Sequence, residues 1–175
     1  MNNKLEDKAN EIMLRAKEVR NYLQKYSDCP KNKIDMCLCP VPPYIGNGDI
    51  KLIIVGQDPT VSKIKRRQDV KFALMLDEKK NNLRQYVECK ICDQLGCGLD
   101  NVYATNLFKF FYTHKPTDKH FDVLEMHLPE NLQLLKDEIA GVFEVYPECQ
   151  IITLGEPVLK LLVNSGKVDD KKKQM

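Results

Sequence analysis

Four apolar residues, Leu52-Ile-Ile-Val55, follow closely on Ile50 and stop at Gly56-Gln-Asp-Pro59. A short unbroken apolar run is buried on both faces, which is how a strand of a parallel sheet reads. Gly56 permits a sharp turn, and Pro59 has no N–H with which to continue a ladder. Asp58 is thereby delivered to the carboxyl end of a core strand, where open α/β sheets hold their ligands. The same residues also fit an Asx turn, in which the carboxylate bonds its own backbone.

The rest of the chain supplies partners for that strand. Leu5, Ala9, Ile12, Ala16, Val19 and Leu23 draw one stripe down a helix, placing an amphipathic helix within residues 1–25. Residues 26–49 hold Cys29, Pro30, Cys37, Cys39, Pro40, Pro42, Pro43, Gly46 and Gly48, and read as a loop without regular structure. So long a connection inside a domain is usually functional or held by something. Phe72-Ala-Leu-Met-Leu76 is a short strand or a core-lining loop. Asn82 to Leu95 reads as a helix with Leu83, Tyr86, Val87, Ile91 and Leu95 inward, ended by Gly96 and Gly98.

Asn101–Leu107 is a second core strand, ending in Asn106 as the first ends in Asp58. A loop rich in aromatics and cations follows, with Phe108, Lys109, Phe110, Phe111, Tyr112, His114 and Lys115. Pro129 suits the first position of a helix that continues through Leu132, Leu135, Ile139 and Val142. Cys149–Leu154 is a third strand, and Val158–Val163 a last helix. Strands alternating with helices imply an α/β fold, a three-layer α/β/α sandwich around a small central parallel sheet.

At 175 residues the chain suits one domain, taken here as 1–164 with a polar tail at 165–175. The net charge is +2, so any nucleic-acid contact must come from a local patch. Lys63-Ile-Lys-Arg-Arg67 is one such patch: Lys63, Lys65, Arg66 and Arg67 either meet phosphates or line a solvated loop. The start of the chain is too polar for a signal peptide, and no apolar run reaches the length of a membrane span. A cytoplasmic, monomeric protein without membrane contact is expected.

The seven cysteines, an odd number, point to reduced thiols or a metal site rather than a disulfide framework. Cys89-x-x-Cys92 set against Cys37-x-Cys39 is a candidate ligand set for zinc or a 4Fe-4S cluster. Buried structural thiols are the alternative, and Cys149 reads as one.

Three stretches, in order, resemble the uracil-DNA glycosylase superfamily. Val55-Gly-Gln-Asp-Pro59 is similar to the first catalytic motif of the uracil-excising enzymes. Gly98-Leu-Asp-Asn-Val-Tyr-Ala-Thr-Asn106 is similar to the uracil-recognition strand of the iron–sulfur branch, and Ile151-Ile-Thr-Leu-Gly155 to the strand after it. The likeness spans about Ile50 to Val163. It implies hydrolysis of the N-glycosidic bond of uracil in DNA, as in base-excision repair, by chemistry that needs no cofactor.

On that likeness Asp58 would activate water or stabilise the cationic sugar, and Asn106 would read the uracil edge. Phe72 would stack on the flipped base, and backbone at Gln57 would help hold it. Two departures stand out. Thr60 replaces a Tyr that excludes thymine in the family's most efficient branch. No His-Pro-Ser-type motif follows the last helix, and His114, His120 and His127 all precede the third strand. A non-catalytic module on the same fold, binding nucleic acid or protein, is the alternative.

Overall fold

A computed structural model describes residues 2–26, 34–114 and 121–164. Cys29, Pro30, Lys115, His120 and the tail 165–175 lie outside the described residues. The elements are α1 (Asn2–Tyr26), β1 (Tyr44–Ile45), β2 (Leu52–Gly56), α2 (Asn82–Tyr86), β3 (Val102–Asn106), α3 (Phe121–Phe143), β4 (Gln150–Thr153) and α4 (Glu156–Asn164).

The four strands form one sheet in the order β1-β3-β2-β4. The parallel centre follows the sequence reading, but the sheet is mixed, because β1 runs antiparallel to β3. The stretch expected to be structureless in fact runs backwards along β3 and its continuation. Asp35 N–H donates to Phe111 O (2.8 Å), Val41 N–H to Lys109 O (2.7 Å) and Gly46 N–H to Val102 O (2.9 Å). Prolines at 40, 42 and 43 remove donors, so only Tyr44–Ile45 completes a ladder.

Alternation along β2 and β3 divides the core into two. Ile53, Val55 and Tyr103 face α1, α3 and α4, meeting Leu5, Leu124, Leu128, Leu135, Val158 and Leu161. Leu52, Ile54, Val102 and Ala104 face the shorter segment between β2 and β3, meeting Leu76, Val87, Cys92 and Leu99. All of β2 is buried, whereas β4 lies at the rim with Ile151 44% exposed, so this third strand is not a core strand.

Two helices depart from their predicted form. After α2 the chain widens into a π turn over Val87–Cys92. Bonds there span five residues, as from Asp93 N–H to Glu88 O (3.2 Å), so the inward positions become Val87 and Cys92. Tyr86 and Leu95, expected inside, are exposed. α3 begins eight residues before Pro129, which sits inside it. Pro129 removes only its own bond to the previous turn, while buried Leu124, His127, Leu128, Asn131 and Leu134 keep one face continuous across it.

No helix among the described residues is long and apolar enough to cross a membrane.

Candidate functional site

The connection leaving β2 leads to β3 on one side, and the connection leaving β3 passes over to β4 on the other. The two connections also cover opposite faces. The crevice between the carboxyl ends of β2 and β3 is thus a topological switch point, the usual ligand position in open α/β sheets. Gly56 and Asn106 are partners across the ladder at that end. Leu107 N–H donates to Gly56 O (2.8 Å) and Phe108 N–H to Gln57 O (2.9 Å), so both exits stay bound together past the strands.

Asn106 is 1% exposed, and neither its Oδ1 nor its Nδ2 has a hydrogen-bond partner among the described residues. An amide so placed costs roughly 1–3 kcal/mol for its lost hydration. It shares a face with Val102 and Ala104, and it lies over Gly56. A Cβ on Gly56 would stand 2.6 Å from Asn106 Oδ1 and 2.5 Å from Leu74 Cδ2. Any side chain at position 56 would therefore displace Leu74 and Asn106. Gly56 is not one of the positive-φ glycines, which are Gly96 and Gly155 among the described residues.

Leu74 belongs to a 3₁₀ turn over Ala73–Met75. Leu74 (φ 59°) and Met75 (φ 52°) both adopt the left-handed region. For a non-glycine residue that costs on the order of 1–2 kcal/mol, and such strain concentrates at functional sites. Asn81 holds the turn, its Nδ2 donating to Leu74 O (3.3 Å) and Met75 O (3.1 Å) while its Oδ1 caps α2 at Leu83 N–H (2.9 Å). Phe72 is 38% exposed before this turn, whereas the end of the Leu74 side chain shares the space above Gly56 with Asn106 Oδ1.

Asp58 makes the Asx turn, accepting Thr60 N–H at Oδ1 (2.8 Å) and Gln57 Nε2 at Oδ2 (2.8 Å). Its carboxylate remains half-buried, and it reinforces the effect of burial in pushing the Tyr112 phenol upward. Thr60 is buried, its hydroxyl accepting Tyr112 N–H (2.9 Å).

The cationic stretch separates into two kinds of residue. Lys63 and Lys65 are exposed, and Arg66 pairs with Glu78 (3.1 Å) at the surface. Arg67 cannot serve as a phosphate contact, since it is buried. It donates to Val61 O (3.2 Å), Tyr112 O (2.8 Å) and Thr113 O (3.1 Å) and lies 3.5 Å from Asp35. A guanidinium offers five donors in a fixed fork, which suits it to gathering separate backbone segments.

The cysteines named as ligands are not brought together. Cys37 and Cys39 lie between Asp35 and Val41, on the segment bonded to Phe111 and Lys109 beyond the carboxyl end of β3. Cys92, on the π turn with Cys89, packs on Leu99 and Val102 at the other end of that strand. No three His, Cys, Asp or Glu side chains among the described residues form a group suited to a metal ion. Cys92 is buried beside Cys97, and its thiol is pushed up to about 12 by burial and by that neighbour. Cys149 is buried as expected.

No protein-family model matches this chain. No curated protein matches it either.

Two further groups support the site from behind. Lys109 and Glu138 form a fully buried ion pair, with Glu138 reaching over from α3. Lys109 Nζ also donates to Asn106 O (2.6 Å) and Thr105 Oγ1 (2.5 Å), and Tyr103 Oη donates to Glu138 Oε1 (2.9 Å). Burial pulls the lysine ammonium down, against the opposing pull of Glu138. His127 is completely buried, its Nδ1 3.2 Å from Tyr112 Oη and its ring stacked on that of Tyr112. In the sequence Lys109 is only one residue of an aromatic, cationic loop; its separation of 29 residues from Glu138 carried no signal.

Proposed function

We propose that this protein is a uracil-DNA-glycosylase-like enzyme that hydrolyses the bond between uracil and deoxyribose in DNA. The observation that carries the proposal is the Asn106 amide, buried without a partner at the switch point. A polar group left in that state wants a ligand that offers one donor and one acceptor side by side. The imide edge of uracil offers both, and a base reaches such a pocket only by leaving the stack.

In this reading Asn106 binds the flipped base and Asp58 faces the sugar. The bond from C1′ to the base nitrogen breaks, and its electron pair leaves with the base. Asp58 stabilises the positive charge that develops on the sugar and orients water, whose oxygen then bonds to C1′ as one of its protons passes to the Asp58 carboxylate and on to the departed base anion. Gln57 Nε2 and Thr60 N–H fix the position of the carboxylate. Lys63 and Lys65 are free to meet backbone phosphates; Phe72, exposed nearby in sequence, is available to stack. No cofactor is needed for these steps.

The test is release of free base from a single-stranded, uracil-containing oligonucleotide. Wild-type release that falls by about a hundredfold or more in Asp58→Ala is the expected result. A second reading, a binding module without catalysis, is favoured by the Asx turn at Asp58, which gives the carboxylate a purely structural use. DNA retention at low salt with no base released by the wild-type chain would establish that reading instead.

A further inference from the structure

The recognition amide is closed to solvent on both polar atoms, so no ligand reaches it until a neighbouring group moves. The space in front of it is the space above Gly56, and Leu74 Cδ2 converges on that space together with Asn106 Oδ1. Leu74 stands on two consecutive left-handed residues, a backbone that relaxes if the turn opens. The backbone around it is well held: Asn81 Nδ2 bonds the carbonyls of Leu74 and Met75, Met75 O also accepts Glu78 N–H (3.2 Å), Met75 N–H donates to Phe72 O (3.0 Å), and Ala73 N–H donates to Pro42 O (2.9 Å). The part left to move is the Leu74 side chain, which meets Gly56 only through its end.

We infer that Leu74 is the stopper of the Asn106 pocket, covering the amide in the free protein and yielding its place to the incoming ring. Specificity follows from geometry. A ligand must be flat enough to pass between Leu74 and Gly56, and must hydrogen-bond Asn106 to offset the lost apolar contact. The inference rests on the proposed role of Asn106 for the identity of the ligand, but covering of the amide stands independently of it.

The experiment follows the side-chain NH2 resonance of Asn106 by NMR, reading its hydrogen exchange in wild type, Leu74→Ala, Leu74→Gly and Leu74→Met. Leu74→Gly removes the side chain while suiting the positive φ, so it guards against misfolding in Leu74→Ala. Exchange is expected to rise at least tenfold in the Ala and Gly variants and to stay within twofold in Met, with backbone exchange at Tyr103 unchanged in all. Equal exchange across the set, or a parallel rise at Tyr103, would overturn the stopper. Free uracil is then added. A shift of the Asn106 resonance at lower uracil concentration in Leu74→Ala supports both ideas. Accelerated exchange with no response to uracil in any variant keeps the stopper and removes uracil as its ligand.

Discussion

His127 sits among aromatic rings rather than charges, with Phe110 edge-on at 6.2 Å and Tyr112 stacked at 5.9 Å. Burial lowers its affinity for a proton to a pKa of about 4, from an ordinary 6.5. The unfolded chain therefore takes up that proton first as pH falls. The contribution of the neutral ring to stability is complete above about pH 6.5 and is lost on the way down to 4. Between pH 7 and pH 5, before the carboxylates titrate, the loss should be about 2 kcal/mol. Urea midpoints at the two pH values measure it, and His127→Phe should flatten the difference. At this same scale the positions of Asp58 and Asn106 were legible in the sequence, because Asn106 ends β3 and Asp58 follows β2 by two residues. Leu74 was not: a positive φ at a leucine leaves no mark in composition, and Phe72 drew the assignment instead. Arg67 was misread for a related reason, since nothing in a run of cations tells which one turns inward.

At the scale of elements, α3 tolerates a proline in its interior because packing on one face outweighs one missing bond. The side chain of Asn131 bonds His127 O (2.8 Å), strengthening the turn that contains the proline. Pro129 itself is exposed. Replacing it with Ala should restore the lost backbone bond and raise stability by about 1 kcal/mol or more, partly offset by a freer unfolded chain. A chemical denaturation curve checks this. The rule that a proline starts a helix was the wrong guide here, as apolar positions upstream of it already kept the helical period. The π turn was hidden for another reason. Its apolar residues fit an ordinary helix until the bonding pattern shifts by one, which exchanges Leu95 for Cys92 as an inward residue. β1 was invisible because its pairing depends on β3, more than fifty residues later.

At the scale of the molecule, the sheet is clamped from one side through charge. Glu138 on α3 and Lys109 after β3 join the helix layer to the strand that ends in Asn106. Removing one partner strands the other in the interior, so Glu138→Gln should cost about 3–5 kcal/mol. Replacing both, as Lys109→Met with Glu138→Leu, should return part of that loss, the remainder being the Tyr103 and Thr105 hydroxyls and the Asn106 carbonyl left without these partners. Denaturant midpoints of the single and double variants give the comparison. The general α/β plan could be read from alternating apolar runs, whereas the buried ion pair could not, since its members are joined only by the fold. The register of β3 against β2 also bears on how such a chain can change over generations. Leucine, isoleucine and valine can replace one another along both strands at little cost. A single residue gained or lost within Val102–Asn106 would instead turn Asn106 to the opposite face, away from Gly56. Descendants of this sequence can thus exchange the aliphatic residues of these strands for one another, but length changes there are closed to them.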